Sequence, residues 1–256
     1  MIKRGIGMQI IDRLLELLNL LSKRKEGYMI SEISEHLSIP ISSIHRMLAC
    51  LKKNDYVVQD PETKKYKLSW KVLHLAVNLL NNNDIRLVAR PYLERLSLKY
   101  EEMVFLSIME NNRAICIDTV MSSDRVKFYV KIGSEMPMNA AVAAQVILAY
   151  LDEEMIEKIL CQQKINRFTL HTLTNIEEIK KKLECIRKTG YGLCDEELEA
   201  GVNAIAVPIR DYSGSVAASI TMVGIKSKNY INENKIQDLK RTASEISIAL
   251  GYQKEY

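Results

Sequence analysis

Residues 31–54 read SEISEHLSIPISSIHRMLACLKKN, and this stretch predicts two short helices joined by a tight corner. Ser31 is placed to cap the first helix, in which Ile33 and Leu37 are apolar. Pro40 ends that helix, because proline has no N–H to donate and disfavours the α region for the residue before it. In the second helix apolar residues recur at spacings of three and four, which predicts a buried face formed by Ile44, Met47, Leu48 and Leu51.

The opposite face of the second helix carries polar and basic side chains. Ser42 and Ser43 stand at its start, suited to cap it or to meet a phosphate, and His45, Arg46 and Lys53 follow. Short polar groups followed by basic ones are typical of a helix that reads the major groove of DNA. Two helices of an ordinary bundle would show the same pattern, so this stretch alone leaves both interpretations open.

The residues that follow favour the DNA-binding interpretation. Residues 55–59 (DYVVQ) and 64–68 (KKYKL) predict two strands, joined by the turn-forming residues 60–63 (DPET). A hairpin with a lysine-bearing return strand, placed directly after a helix-turn-helix, is typical of a wing. Lys64 and Lys65 would then lie near a phosphate of the DNA backbone.

Helices are predicted on both sides of this motif. Residues 8–22 predict a helix whose buried side would be formed by Ile11, Leu14, Leu15, Leu18 and Leu21. It completes a winged helix-turn-helix domain over residues 1–69. Residues 70–83 predict a linker helix, which Ser69 would cap. Its apolar residues, Trp70, Leu73, Val77 and Leu80, require a partner surface, either on its own wing domain or on a second copy of the chain.

The remaining residues, 84–256, predict a second domain of the α+β class. Its helices are expected at residues 84–100, 139–151, 152–160, 175–189 and 231–250, and its strands at residues 103–109, 114–120, 125–132, 191–194, 202–209 and 215–224. Residues 133–137 are expected to form a loop. Short strands joined by turns predict a mostly antiparallel sheet with helices around it.

Charge is distributed unevenly between the two predicted domains. Residues 1–70 hold 12 Lys/Arg and 8 Asp/Glu, whereas the rest of the chain holds 24 of each, so the net charge of +4 lies in the first domain. This distribution fits a DNA-facing domain joined to a neutral one. The five cysteines are scattered and predict neither a zinc site nor disulfides. Without a secretory signal or an apolar run of membrane-spanning length, the sequence predicts a cytoplasmic protein with no membrane contact.

The chain resembles the IclR family of bacterial transcriptional regulators over nearly its whole length. The resemblance rests on residues 39–51 (IPISSIHRMLACL), 195–211 (DEELEAGVNAIAVPIRD) and 214–224 (GSVAASITMVG), and on Arg167-Phe168-Thr169. Ile41 stands where the family usually has a lysine. The resemblance implies a winged-helix DNA-binding domain, a linker helix and a GAF-like effector domain. It also implies a dimer, or a tetramer, that binds operator DNA and senses a small metabolite such as an organic acid.

The resemblance also places an effector pocket between the sheet and the start of the helix near Asn139. Free backbone N–H groups at a helix start attract anions, and Val142 and Ala143 would offer them to a carboxylate. The family's usual histidine, threonine, glycine and lysine are absent from this segment, which predicts a larger or partly apolar ligand. Plain core residues would give the same pattern. The residues implied for this pocket are Asn139, Ala141, Val142, Ala143, Cys194, Ala204, Thr221 and Val223.

Two other classes of function, an enzyme and a sensor module that binds a protein, would use some of the same residues. Cys194 beside three acidic residues could suggest a catalytic nucleophile, but a thiolate needs a cation or a base, and acidic neighbours raise the pKa of a thiol. His171 is the only histidine after residue 83. A sensor module that binds a protein partner is the second alternative, and the basic first domain with its wing argues against it. The sequence therefore predicts a regulator with no enzymatic activity, no cofactor and no metal.

Overall fold

The computed structural model describes residues 6–81, 84–121, 130–227 and 230–253, and their side chains except at residues 6–9, 76–81 and 84. The chain forms two compact units, Met1–Asn82 and Asn83–Tyr256. None of the helices in the described ranges combines the length and the apolarity that a bilayer crossing requires.

The N-terminal unit contains three helices, a two-stranded antiparallel hairpin and a further helix. This order confirms the predicted winged helix-turn-helix followed by a linker helix. The elements are α1 (Ile6–Leu21), α2 (Ile30–Leu37), α3 (Ile41–Lys53), β1 (Val57–Gln59), β2 (Tyr66–Leu68) and α4 (Trp70–Asn81).

The corner between α2 and α3 is built by backbone groups and not by the predicted serine caps. Ser38 adopts the left-handed conformation (φ 53°) that ends α2, and the Pro40 carbonyl accepts hydrogen bonds from the N–H groups of Ser43 and Ile44. Pro40 is itself the residue before α3. Ser42 and Ser43 therefore lie within the first turn of α3, and the prediction that one of them caps it was wrong.

The predicted cap of α2 was also wrong. Ser31 lies inside α2, which begins one residue earlier, at Ile30. The Glu32 carboxylate accepts a hydrogen bond from the backbone N–H of Met29 at 2.6 Å. That bond lowers the pKa of Glu32. It also satisfies the N–H of the residue before α2, so no serine side chain is needed at this helix start. At α4 the prediction was confirmed, since Ser69 Oγ accepts the N–H of Lys71 at 3.1 Å.

The core of the N-terminal unit is formed by the apolar face of α3 and by the second half of α1. The predicted buried face of α3, from Ile44 to Leu51, was confirmed. For α1 the prediction was partly wrong, because Ile11 and Leu15 are 60% and 54% exposed, whereas Leu17 and Leu20 are buried. Ile10 and Leu14 line a groove with Ser43 and Met47 of α3, so the first half of α1 is packed only in part.

The wing hairpin is shorter than predicted because its turn is longer. Val57 pairs with Leu68 and Gln59 with Tyr66. Asp60 Oδ1 accepts the backbone N–H groups of Glu62 and Thr63, and Lys64 has a φ of 58°. These constraints keep Lys64 and Lys65 in the turn and out of the predicted return strand.

The C-terminal unit is built on one six-stranded sheet, with the strand order β5-β4-β3-β8-β7-β6 and every neighbouring pair antiparallel. This architecture confirms the predicted α+β class. The strands are β3 (Met103–Glu110), β4 (Arg113–Val120), β5 (Glu135–Met136), β6 (Gly192–Asp195), β7 (Val202–Arg210) and β8 (Val216–Ile225). The helices are α5 (Asp84–Tyr100), α6 (Val142–Leu148), α7 (Glu153–Gln162), α8 (Ile176–Thr189) and α9 (Glu233–Ala249).

Both faces of the sheet are buried, each in its own apolar core. Side chains alternate along the strands, so Phe105 packs on the side of α6, α7 and α8. Leu106, the next residue, packs on the side of α5 and α9. The Ser219 hydroxyl donates to the carbonyl of Ala143 at 2.8 Å and fixes α6 on β8.

Two predicted elements of this unit differ from the structure, and a third lies largely outside the described residues. The strand expected at residues 125–132 falls largely on residues 122–129, which lie outside the described residues. The loop expected at residues 133–137 contains the short strand β5, which pairs with β4. The helix expected at residues 139–151 is only Val142–Leu148, because the Pro137 carbonyl accepts the N–H groups of Ala140 and Ala141 and forms a turn first.

Gly27→Ala should lower the free energy of unfolding of the N-terminal unit by more than about 2 kcal/mol. Gly27 has a φ of 77°, and an added Cβ would lie 2.4 Å from the carbonyl oxygen of Tyr66, which binds the N–H of Tyr28. The left-handed conformation alone costs a residue with a Cβ about 1–2 kcal/mol. Urea titration followed by circular dichroism measures the loss.

The matched control for this prediction is Gly133→Ala. Gly133 has a φ of 84°, and no atom of the described residues lies within 4 Å of an added Cβ, so only the conformational cost is expected in its own unit. An equal loss of unfolding free energy for both variants would contradict the role assigned to the contact between Gly27 and Tyr66.

Candidate DNA-binding surface and ligand cavity

The predicted DNA-reading side chains lie on the solvent-facing side of α3. Ser42, His45, Arg46 and Lys53 are exposed, and so is Ser31 on α2. Ser43 is half-buried and lines a groove between α1 and α3. Within the described residues no hydrogen bond or ion pair engages the side chain of His45 or Arg46. Free donors on an exposed helix face are what contact with base edges requires.

Besides the two predicted lysines, the wing carries a third, Lys67, whose side chain is exposed. The Lys64 ammonium donates to the carbonyl of Pro61 at 2.7 Å, and Lys65 is half-buried. Lys67 lies on β2 with an exposed side chain, and its nearest carboxylate, that of Asp60, is 4.0 Å away. The alternation of β2 could have shown this, because the partly buried Leu68 places its neighbour Lys67 on the opposite face.

The C-terminal unit contains a cavity of about 110 Å³ between the sheet and the start of α6. Seven of the eight residues implied for the effector pocket line it: Ala141, Val142, Ala143, Cys194, Ala204, Thr221 and Val223. The sequence reasoning missed six further lining residues: Phe105, Val130, Met136, Leu198, Glu199 and Val202.

Asn139, the eighth residue implied for the pocket, does not line the cavity. It is buried in the turn before α6, and its side-chain amide donates to the carbonyls of Asn166 and Leu173 at 2.9 Å each. It therefore joins the turn to the loop that precedes α8. Its contribution to the cavity is indirect, since it holds the start of α6 in place.

Three polar groups of residues that line the cavity have no protein partner in the described part of the chain. In the described part of the chain the N–H groups of Val142 and Ala143 have no acceptor, whereas those of Ala144 and Gln145 bind the Ala141 carbonyl. Thr221 is fully buried, and its hydroxyl oxygen also has no partner there. Buried polar groups are nearly always hydrogen-bonded, so this arrangement calls for an acceptor from a ligand or from water.

The rest of the cavity wall is mostly apolar and offers no reactive nucleophile. Burial raises the pKa of the Cys194 thiol, and the charge of Glu197 raises it further, so the thiol stays protonated near neutral pH. His171 is exposed and does not line the cavity. Among the described residues no cluster of His, Cys, Asp and Glu could hold a metal ion.

A winged helix-turn-helix with free donors on its reading helix, joined to a sheet domain with a small-molecule cavity, defines the class of ligand-responsive DNA-binding regulators. Comparison with known proteins identifies the family within this class. The family model described as IclR helix-turn-helix domain matches residues 10–61. The model described as bacterial transcriptional regulator IclR C-terminal matches residues 77–248. The chain belongs to the IclR family of bacterial transcriptional regulators.

Individual relatives agree with this assignment. The chain is 31% identical to the HTH-type transcriptional repressor AllR of Escherichia coli K12 over 249 residues, which cover 96% of this chain and 91% of the repressor. The crystal structure of the Thermotoga maritima IclR is similar, with a TM-score of 0.78 and 26% identity, and the similarity covers 96% of this chain and all of that one.

A third relative shares the fold and has been crystallised with a small molecule. It is an IclR homologue from Microbacterium hydrocarbonoxydans in complex with 4-hydroxybenzoate. The TM-score is 0.82 and the identity 22%, and the similarity covers 94% of this chain and 98% of the homologue. At this identity the likeness shows the fold.

Arg46→Ala should weaken binding to the preferred DNA site by about 1–3 kcal/mol and relax the preference at one base pair, if Arg46 reads a base. Lys67→Ala should weaken binding to all sequences alike and flatten the salt dependence, since a phosphate contact carries no sequence information. Lys64→Ala should do less, because the Lys64 ammonium is already bound to Pro61. Fluorescence anisotropy with a selected duplex and a scrambled one, at several salt concentrations, measures these effects.

Lys188→Ala, on the exposed end of α8, is the control for loss of one positive charge outside the N-terminal unit. An Arg46→Ala variant that stays folded and keeps both affinity and preference would show that α3 does not read the bases through Arg46.

Proposed function

We propose that this regulator binds operator DNA through α3 and the wing, and that a small molecule in the cavity of the C-terminal unit changes its affinity for DNA. The proposed organisation is a winged helix-turn-helix domain over residues 1–69, a linker helix over residues 70–83 and an effector domain over residues 84–256. The observation that carries the proposal is the cavity with its unpartnered buried hydroxyl, in a unit distinct from the winged helix.

The DNA contacts divide by chemistry. His45 and Arg46 are proposed to read base edges, because they lie in the middle of the exposed face of α3. Phosphate contacts are proposed for residues near the two ends of α3, on α2 and in the wing. They are Ser42, Ser43 and Lys53 on α3, Ser31 on α2, and Lys64, Lys65 and Lys67 in the wing. Phosphate contacts fix the register of the protein on DNA, and base contacts select the site.

The ligand is proposed to be a small organic acid with an apolar body. Its carboxylate would accept hydrogen bonds from the N–H groups of Val142 and Ala143 and from the Thr221 hydroxyl. Since α6 has only seven residues, its dipole is small, and these three directed donors supply the recognition. The body would contact Phe105, Met136 and other apolar residues of the wall. The 4-hydroxybenzoate bound by the Microbacterium homologue makes aromatic acids the first compounds to screen.

A homodimer is proposed as the DNA-binding form, with a homotetramer as a possible further assembly. Trp70 on α4 is 84% exposed, and Leu73 and Leu75 are exposed beside it. Apolar surface of this kind is costly in water, and burying it yields about 25 cal/mol per Å². A second chain would cover it and would double the DNA contacts of a weakly basic domain. A cytoplasmic location is proposed from the transcriptional role.

Ala143→Trp should abolish the response to ligand and keep DNA binding. The indole would fill the space beside the free N–H groups, and residue 143 is far in sequence from the winged helix. Thr221→Val removes the unpartnered hydroxyl at nearly constant volume, so it should weaken ligand affinity by about 1–2 kcal/mol. Calorimetric titration with hits from a thermal-shift screen of carboxylic acids measures both effects, and anisotropy with the operator measures the DNA response.

Val223→Asp, which places a charge in the apolar wall, should remove the response as Ala143→Trp does. Ser213→Ala, in the exposed turn between β7 and β8, is the control for a substitution in the same unit away from the cavity. Unchanged affinity in Ala143→Trp and in Val223→Asp would mean that the ligand binds elsewhere.

The full chain should run in light scattering as an assembly of at least two chains at micromolar concentration. Leu73→Asp places a charge on the exposed apolar face of α4 and should shift the protein to monomer, with weaker operator binding. Lys25→Asp, on an exposed loop position of the same unit, controls for the change of charge. A native monomer with full operator affinity would overturn the proposed dimer.

A further inference from the structure

One wall of the cavity is the connection between β6 and β7, residues 196–201. Leu198 and Glu199 of this connection line the cavity, and Glu199 is the one charged residue among the lining residues that the structure describes. We propose that the ligand carries a hydrogen-bond donor, preferably an amine, at the end opposite its carboxylate, and that Glu199 selects for it. This inference rests on the proposed function of the cavity as the ligand site.

Neighbouring carboxylates in the same connection are already neutralised by lysines. Glu196 pairs with Lys226, which lowers the pKa of Glu196, and its second oxygen accepts the N–H of Gly201 at 2.8 Å. Glu197 pairs with Lys182 and accepts a hydrogen bond from Gln145 at 3.4 Å. Glu199 has no such partner within the described ranges, so its charge is available to a ligand.

The backbone that carries Glu199 is held in place from outside the cavity. The hydroxyl of Thr169 donates to the carbonyl of Glu196 and that of Thr172 to the carbonyl of Glu197, each at 2.6 Å. The carbonyl of Glu199 itself accepts the N–H of Val202 at 3.3 Å. The backbone that carries Glu199 is therefore braced before a ligand binds.

The two polar features of the cavity differ in what they select. The hydroxyl of Thr221 and the N–H groups of Val142 and Ala143 are satisfied by an acceptor. Glu199 accepts hydrogen bonds and repels a second anionic group. A molecule with a carboxylate at one end and an amine at the other satisfies both features, with a short apolar chain between them against Phe105 and Val202. Because Glu199 is itself exposed, its effect on affinity is a several-fold one.

The test compares two series of flexible probes that differ only at the far end. The first contains 4-aminobutanoate, 5-aminopentanoate and 6-aminohexanoate, and the second contains pentanoate, hexanoate and heptanoate, which place a methyl group where the first has the ammonium. Affinities are measured by calorimetry with the native chain, with Glu199→Gln and with Glu184→Gln. Glu184 is exposed on α8 and does not line the cavity, so it controls for the loss of one acidic charge.

At least one amino acid of the first series should bind the native chain, and Glu199→Gln should weaken it at least threefold. The same variant should leave the matching carboxylate unchanged or bind it more tightly, and Glu184→Gln should change neither. An equal effect of Glu199→Gln on both series would overturn the selective role of Glu199, and so would failure of the whole amino series while the simple carboxylates bind.

The Ala143→Trp variant distinguishes failure of the role proposed for Glu199 from failure of the cavity as the ligand site. If the carboxylates bind the native chain and Ala143→Trp abolishes that binding, the cavity is the ligand site whatever Glu199 does. If no probe of either series binds at millimolar concentration, the amino carboxylate class is overturned, and the screen of aromatic acids still decides whether the cavity binds a ligand. If the probes bind equally to Ala143→Trp, the proposed site itself fails.

Discussion

Burial of both faces of one antiparallel sheet is the constraint on which the C-terminal unit depends. Alternation along β3 sends Phe105 to one face and Leu106 to the other, so each face needs a cover of helices. The long helices α5 and α9 cover one face. On the other, α6 is short and begins with alanine and valine, and these small side chains leave the cavity against β8. The site is therefore a consequence of how the sheet is covered.

The N-terminal unit has a smaller core, and its buried apolar residues are clearly separated from its exposed polar ones. Its core is almost wholly Leu, Ile and Val from α1, α2, α3 and the wing. The corner at Ser38 and Pro40 sets α3 at an angle to α2, and this angle decides which residues of α3 reach solvent. Because the buried positions of α3 follow a helical period, His45 and Arg46 are left on the exposed face with no structural partner in the described chain.

The sequence was most informative where a local pattern decides the structure, and least where distant segments meet. Pro40 and the apolar spacing after it predicted the helix-turn-helix, and alternating strands predicted the antiparallel sheet. The predictions of caps at Ser31 and Ser42 were wrong, because backbone carbonyls and a glutamate carboxylate make the hydrogen bonds at these helix starts instead. Phe105, Val130 and Glu199 could not be assigned to the cavity, because it is lined by segments far apart in sequence. The pairing of Phe105 on β3 with Thr221 on β8 is one example. Glu199 has the sequence pattern of an ordinary solvated acid.

The polar groups of the cavity also bear on how a ligand could act on DNA binding. A ligand without an acceptor would displace water from the Thr221 hydroxyl and from two N–H groups and leave them unpaired, at a cost of about 1–3 kcal/mol for each group. At a site of this kind, a ligand that lacks the acceptor loses more binding free energy than a ligand gains from one added methylene group. A ligand shifts a conformational equilibrium only by its difference in affinity for the two states, commonly about 1–3 kcal/mol. Breaking one hydrogen bond at Thr221 in one of the two states is enough to supply a difference of that size.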